Sequence, residues 1–160
     1  APSTTQSASA AGPIGLAGGQ VLDLECEKKH DATLEELKWI HTHKAATLLE
    51  VSCSCGGILA GATDAEVEAL RKFALSIGLA FQVADDILDV TATSEELGKT
   101  AGKDEEVDKT TYVKLLGLDG ARAEAERLAE EGKRALIDVF GEERSKVLLA
   151  IADFVVVRKN

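Results

Sequence analysis

A row of acidic side chains lies in the middle of the sequence. In the segment FQVADDILD, residues 81–89, the polar members are Gln82, Asp85, Asp86 and Asp89. Residues spaced three, four and seven positions apart share one face of a helix. The remaining residues of the segment are apolar, which predicts that the rest of this helix is buried. Because unpaired buried carboxylates are costly, such a stripe must face a wet cavity or a cation.

The ligand chemistry of this stripe suits a hard divalent cation. Asp85, Asp86 and Asp89 offer oxygen atoms only, and their mutual repulsion on adjacent helical positions would be relieved by such an ion. Oxygen ligands favour Mg²⁺ over zinc or iron, and Mg²⁺ commonly keeps open positions for water and phosphate. The sequence therefore predicts a Mg²⁺ site on these three aspartates.

Lysines on both sides of the acidic stripe offer counter-charge for an anionic ligand. Lys44 lies in the helical segment HTHKAATLLE, and Lys99, Lys103 and Lys109 follow the aspartates in a polar segment. We expect Lys44 and Gln82 to approach from neighbouring helices. Lys99 and Lys109 would lie on a loop that closes over the ligand and excludes water. Beside a Mg²⁺ site, this set of lysines predicts a diphosphate cradle.

Two capping boxes of the form T-x-x-E, at residues 33–36 and 63–66, mark the starts of the helices that must carry these side chains. The first helix is predicted from Leu34 to about Gly61, and the second to about Val90. Residues 91–114 are polar and predict a long ordered loop. Two further amphipathic helices are predicted at residues 119–139 and 143–158, joined near Gly141.

Composition predicts one all-α domain. The chain has 160 residues, 45% of them hydrophobic, and only two prolines, both in the first 13 residues. Ala, Leu, Glu and Lys dominate, and these residues favour helix. Residues 1–13 are small and polar, which predicts a flexible segment, and residues 14–160 form the predicted domain.

Charge and apolar content exclude several classes of function. A net charge of −10 argues against a nucleic-acid binder, because phosphate backbones are held by basic surfaces. No apolar run approaches the ~20 residues of a membrane span. Cys26, Cys53 and Cys55 do not have zinc-finger spacing and are predicted to be core thiols.

Several segments together resemble the trans-isoprenyl diphosphate synthases, the polyprenyl synthetase family, and in particular plastid-type geranylgeranyl diphosphate synthases of plants and green algae. GLAGGQVLDL resembles the family's glycine-glutamine helix, HTHKAATLLE its lysine-bearing helix and DDILD its second aspartate-rich motif. The segments ELGKTAGKD and DKTTYVKLLGLDGA and the end FVVVRKN are also similar. The resemblance implies the isoprenoid-synthase helical bundle and condensation of isopentenyl diphosphate with an allylic diphosphate.

The resemblance also implies roles for single residues. Asp85, Asp86 and Asp89 correspond to the second Mg²⁺ motif, and Asp85, Asp86 and Lys44 are the implied catalytic residues. The implied diphosphate-binding residues are Lys44, Ala45, Gln82, Lys99 and Lys109. Ala45 stands where the family usually has threonine, which removes one hydroxyl donor from that site.

The family's first aspartate-rich motif has no counterpart in the sequence. The resemblance therefore implies the C-terminal half of a synthase, which we expect to be inactive alone. A half-bundle should expose apolar helix faces and self-associate. The family further implies a homodimer, with a heterodimer as an alternative, a C20 product, a plastid location and a place in carotenoid biosynthesis.

Two other functions are compared with the synthase. A catalytically silent subunit that regulates a complete synthase remains the alternative, although it would not need to retain DDILD and the lysines. A terpene cyclase has a second metal motif of different spacing, and Val90 and Glu95 do not match it. We therefore favour the prenyltransferase.

Overall fold

The computed structural model of the chain describes residues 2–29, 32–91 and 109–158. Its helices are α1 (Pro2–Ala11), α2 (Leu16–Lys29), α3 (Leu34–His41), a π-helical turn (Thr42–Ala46), α4 (Thr47–Leu59), α5 (Asp64–Thr91) and α6 (Tyr112–Val157). Over these ranges the chain contains no strand. The predicted all-α class is confirmed.

Both predicted capping boxes are present. In the first, Thr33 Oγ1 accepts a hydrogen bond from the Glu36 backbone N–H at 3.2 Å, and the Thr33 N–H donates to Glu36 Oε2 at 2.8 Å. Thr63 and Glu66 exchange the same pair of bonds at 3.3 and 2.9 Å. Because these bonds satisfy the first amides of a helix, α3 starts at Leu34 and α5 starts next to Thr63.

The helix predicted from Leu34 to about Gly61 contains a π-helical turn that periodicity did not indicate. Residues 42–46 form this turn between α3 and α4. Hydroxyl groups support it, because Thr42 Oγ1 donates to the Lys38 carbonyl at 2.7 Å and Thr47 Oγ1 donates to the Thr42 carbonyl at 2.8 Å. Such turns interrupt the normal helical ladder and are frequent at functional sites.

The N-terminal residues form a helix in place of the flexible segment expected over residues 1–13. Helix α1 packs against α4, and Ala10 is 4% exposed. Ser7 Oγ lies 4.0 Å from Cys55 Sγ of α4. Alanine has the strongest helix propensity, and a neighbouring helix gives this short segment apolar surface to bury. Small residues therefore favour helix here once α4 is beside them.

Helix α6 begins earlier than predicted. Thr111 caps it, since its Oγ1 accepts a hydrogen bond from the Lys114 N–H at 3.2 Å. The backbone then bends at Gly117 and Gly141, where φ is 72° and 73°. The predicted joint near Gly141 is confirmed, because only glycine adopts this left-handed conformation at little cost. Lys114 lies in the helix instead of the predicted loop.

Helix α5 is the centre of the fold. It packs against α6 over most of its length and against α4 and the π-helical turn on another side. The main hydrophobic core is formed along the α5–α6 contact by Phe73, Ala74, Ile77, Ala80, Val83, Ala121, Ala125, Leu128 and Leu136. Because α5 is held from several sides, the acidic stripe at its C-terminal end stands on a rigid support. No helix in the described part of the chain is long and apolar enough to cross a bilayer.

Candidate functional site

Two lysines predicted to bind diphosphate converge on one buried carboxylate. Lys44 Nζ, from the π-helical turn, lies 2.5 Å from Asp23 Oδ2. Lys109 Nζ, from the segment before α6, lies 3.4 Å from Asp23 Oδ1. The Asp23 side chain, on α2, is only 5% exposed. The structure therefore brings together Lys44 and Lys109 and adds a third charged group that the sequence analysis did not select.

The charges of this lysine cluster determine which of its groups are ionised. Burial raises the pKa of Asp23, but the hydrogen bonds and charges of Lys44 and Lys109 outweigh burial and bring that pKa below its ordinary value. Nearby, burial and the two lysines lower the pKa of His41 to about 4. At neutral pH the Asp23 carboxyl is therefore ionised and the His41 imidazole is neutral.

Small residues place Lys44 by letting two helices approach the π-helical turn. A Cβ on Gly19 of α2 would lie 2.5 Å from the Lys44 backbone nitrogen. A Cβ on Gly78 of α5 would lie 2.6 Å from the Ala46 Cα. Contacts this short exclude any side chain at either position. The turn is therefore clamped between α2 and α5, and Lys44 is fixed at its backbone.

The three aspartates of α5 occupy different environments. The Asp85 side chain is 49% exposed and pairs with Arg158 at 2.7 Å. Asp86 and Asp89 are 9% and 6% exposed. Asp86 Oδ2 accepts a hydrogen bond from the Tyr112 backbone N–H at 2.7 Å, which ties α5 to the start of α6. The stripe predicted from sequence thus combines one open carboxylate with two enclosed ones.

Tyr112 connects the acidic stripe to the lysine cluster. Its backbone N–H binds Asp86, and its ring centroid lies 5.6 Å from that of His41. Tyr112 is fully buried, and burial with nearby Glu124 raises the pKa of its hydroxyl above the ordinary value. Tyr112 therefore lies between Asp86 and His41, the imidazole whose pKa burial and the two lysines of the cluster lower.

The carboxylate oxygens of the stripe are donor atoms of the kind that Mg²⁺ binds. Within the described ranges, no three His, Cys, Asp or Glu side chains are grouped closely enough to hold a metal by themselves. Mg²⁺ needs no such cage, because it is usually bound by one or two carboxylates together with water and substrate phosphate. Asp85 and Asp89 stand on one face of α5, with all-oxygen chemistry. These residues suit a cation that arrives with a phosphorylated ligand.

The remaining predicted residues are distributed around this region. Ala45 lies beside Lys44 on the π-helical turn, and Gln82 is partly buried on α5, one turn before Asp86. Lys99 and Lys103 lie outside the described residues. Two functional candidates were missed: Asp23 and Arg158. No local pattern singles out Asp23, because the leucines next to it in the sequence lie on other faces of α2.

A profile of the polyprenyl synthetase family matches residues 8–140, which include α2, the π-helical turn and the acidic stripe. The chain belongs to the polyprenyl synthetase family. This membership confirms the resemblance of the sequence motifs. The isoprenyl diphosphate synthase fold, inferred from those motifs, is confirmed by the solved structures of this family.

Relatives of the chain include proteins named as chloroplastic. The chloroplastic geranylgeranyl pyrophosphate synthase of Capsicum annuum is 54% identical over 93% of the chain and 40% of its own length. The heterodimeric geranylgeranyl pyrophosphate synthase large subunit 1 of Arabidopsis thaliana, also chloroplastic, is 50% identical over 96% of the chain and 42% of its own length. The chain thus spans about two fifths of the length of these relatives.

A solved structure shows the same fold. The geranyltransferase of Helicobacter pylori, crystallised with magnesium and isoprenyl diphosphate, matches the chain with a TM-score of 0.79 and 35% identity. The match covers 94% of the chain and 50% of the bacterial enzyme.

Proposed function

We propose that this chain forms the diphosphate-binding part of a Mg²⁺-dependent short-chain trans-prenyltransferase of the geranylgeranyl diphosphate synthase kind. Its substrates would be an allylic diphosphate and isopentenyl diphosphate. The observation that carries the proposal is the convergence of Lys44 and Lys109 in one cluster, connected through Tyr112 to the acidic stripe. A cluster of ammonium groups beside oxygen ligands for Mg²⁺ suits a diphosphate and few other ligands.

The two lysines would stabilise the diphosphate as it leaves. When the allylic C–O bond breaks, negative charge grows on the diphosphate oxygens, and positioned ammonium groups lower the free energy of that charge. Each ammonium carries three N–H donors, so one lysine can bind a carboxylate and a phosphate oxygen together. The side chains of Lys44 and Lys109 are 34% and 22% exposed, so neither is fully enclosed.

Mg²⁺ would be held by Asp85 and Asp89, with Asp86 supporting the stripe through its bond to Tyr112. When bound, the ion supplies positive charge to the diphosphate. The chain's own contribution is to present these carboxylates on the rigid α5 helix. Gln82, one turn earlier on that helix, offers an amide to the same ligand.

The wider assignment of the protein follows its relatives. The pepper and Arabidopsis proteins are named chloroplastic geranylgeranyl pyrophosphate synthases, which supports a C20 product and a plastid location for this chain. The Arabidopsis relative is named as a subunit of a heterodimer, so a heterodimer is included in the proposal beside a homodimer. Carotenoid precursors would then lie downstream.

A chimeric enzyme tests the proposed function. The segment of the pepper synthase that aligns with this chain would be replaced by this chain, and prenyl transfer measured with Mg²⁺, isopentenyl diphosphate and allylic diphosphates. We expect a C20 product, and we expect Lys44→Gln and Asp85→Asn chimeras to lose activity while remaining folded. A folded chimera without activity would contradict the enzymatic proposal and favour the silent regulatory subunit.

A further inference from the structure

We propose that Asp23 is a positioning residue that holds Lys44 and Lys109 as a paired anion-binding unit. The inference rests on the proposed function, because it explains how the diphosphate site is built. Asp23 sits on α2, outside both the lysine-bearing turn and the acidic stripe. It contributes no proton and contacts the lysines only through its carboxylate.

The carboxylate bridges two cations that would otherwise repel each other. Asp23 Oδ2 lies 2.5 Å from Lys44 Nζ, and Asp23 Oδ1 lies 3.4 Å from Lys109 Nζ, so each oxygen contacts one lysine. Like charges this close disfavour each other, and a buried carboxylate between them lowers that cost. Two lysines and one carboxylate thus meet at this point, beside the neutral His41 imidazole.

The Asp23 side chain is more buried than those of the two lysines, as expected for a residue that supports the lysines and does not compete with their ligand. The Asp23 side chain is 5% exposed, whereas Lys44 and Lys109 are 34% and 22% exposed. The carboxylate is therefore more enclosed than either lysine side chain. A carboxylate that mimicked the ligand would be the more exposed group instead. This difference in burial agrees with Asp23 as an anchor of the lysines.

Helix α2 contacts Lys44 both at its backbone and at its ammonium group. Gly19 brings the α2 backbone so close that a Cβ there would lie 2.5 Å from the Lys44 backbone nitrogen. Asp23, one helical turn later on α2, binds the ammonium group of the same residue. Fixing both ends of a long side chain removes rotamer freedom before the ligand arrives, and such preorganisation raises affinity.

Calorimetric titration of the whole chain with inorganic pyrophosphate and Mg²⁺ tests this role. The test is whether a substitution of Asp23 weakens or strengthens pyrophosphate binding. Asp23→Asn removes a negative charge, so simple electrostatics predicts tighter binding. The positioning role predicts the opposite, a dissociation constant about tenfold higher, with partial recovery in Asp23→Glu. Asp153→Asn, which removes a carboxylate from the ion pair with Lys133, is the charge-matched control and should not change binding. Tighter or unchanged binding in a folded Asp23→Asn protein would overturn the proposal.

Amine labelling examines the lysines without any ligand. The chain is treated with an amine-acylating reagent, and modification of Lys44 and Lys109 is measured by peptide mass spectrometry. We expect both to react several-fold faster in Asp23→Asn and at the original rate in Asp153→Asn. Equal labelling in Asp23→Asn and the unchanged chain would overturn the proposal. Failure of the unchanged chain to bind pyrophosphate would instead contradict the proposed function, and the anion-binding role of the pair with it.

Discussion

Lys44 and Lys109 are distant in sequence and come from a π-helical turn and the segment before α6. They meet in the folded chain at the carboxylate of Asp23. Asp23 was not selected, because its role depends on a packing contact between α2 and the turn that no local pattern encodes. The same holds for Arg158, which reaches Asp85 from the far end of α6. The candidate lysines and aspartates could be selected from the sequence and its family resemblance, whereas these long-range ion pairs could not.

Asp85 gives a prediction about the cation. Among the three aspartates its side chain is the open one, so it should contribute most directly to Mg²⁺ held with a ligand. We expect Asp85→Asn to remove most of the gain in pyrophosphate affinity that Mg²⁺ provides, a loss of at least about tenfold. Calorimetry with and without Mg²⁺ measures this gain. Asp138→Asn, an exposed aspartate on α6, should retain it.

His41 gives a prediction about pH. Its pKa is about 4 in the folded chain, against an ordinary value of 6.5, so between these values the unfolded state binds more protons. Stability therefore rises with pH in this window and is lost on acidification. We expect the free energy of unfolding to fall by about 2 kcal/mol from pH 7 to pH 5 through this group.

Urea unfolding at both pH values measures the effect of His41. A His41→Gln protein should lose this part of the pH dependence, whereas His43→Gln, on the π-helical turn, should keep it. Equal pH dependence in the unchanged and His41→Gln proteins would mean that His41 is not held neutral by its surroundings.

At the scale of elements, the capping boxes and the 3.6-residue period predicted α5 and the start of α3 to within a residue or two. The π-helical turn escaped prediction because its cause lies in other helices. Gly19 and Gly78 let α2 and α5 approach it closely, and the hydroxyl groups of Thr42 and Thr47 donate additional hydrogen bonds to backbone carbonyls. Sequence periodicity indicates which face of a helix is buried, but it does not indicate a close approach of other helices.

Gly78 tests the close approach of α5 to the π-helical turn. A Cβ there would lie 2.6 Å from the Ala46 Cα and 2.7 Å from its Cβ, so the helices must separate. We expect Gly78→Ala to lower the free energy of unfolding by about 1–3 kcal/mol. Gly56→Ala on α4 meets no atom within 4 Å and should instead raise stability by up to about 1 kcal/mol. Denaturant unfolding measures both variants. Equal changes in the free energy of unfolding would contradict the close packing of α5 against the π-helical turn.

Across the whole molecule, large apolar side chains remain exposed. On the last part of α6, Val147, Ile151 and Phe154 are 66%, 46% and 62% exposed and share one helical face. Leu59 and Ile14 are 80% and 78% exposed. Apolar surface of this kind usually marks an interface. These exposed apolar residues agree with the half-bundle expected from sequence. They do not identify the partner that covers the surface.

Phe154 tests whether this face drives self-association. We expect the chain to elute as more than a monomer in size-exclusion chromatography with light scattering, and Phe154→Glu to shift it toward the monomer. Ala123→Glu adds the same charge at an exposed position elsewhere on α6 and should leave the oligomer in place. A monomeric unchanged chain would contradict the prediction.

We propose that Lys44 and Lys109 bind diphosphate as one site. The most direct test is a double-mutant cycle with Lys44→Gln, Lys109→Gln and the double variant, using calorimetric binding of pyrophosphate with Mg²⁺. We predict that each single variant loses about 1–3 kcal/mol of binding free energy and that the losses are not additive, because residues in one network couple. Unchanged affinity in either single variant, or strictly additive losses, would contradict the account.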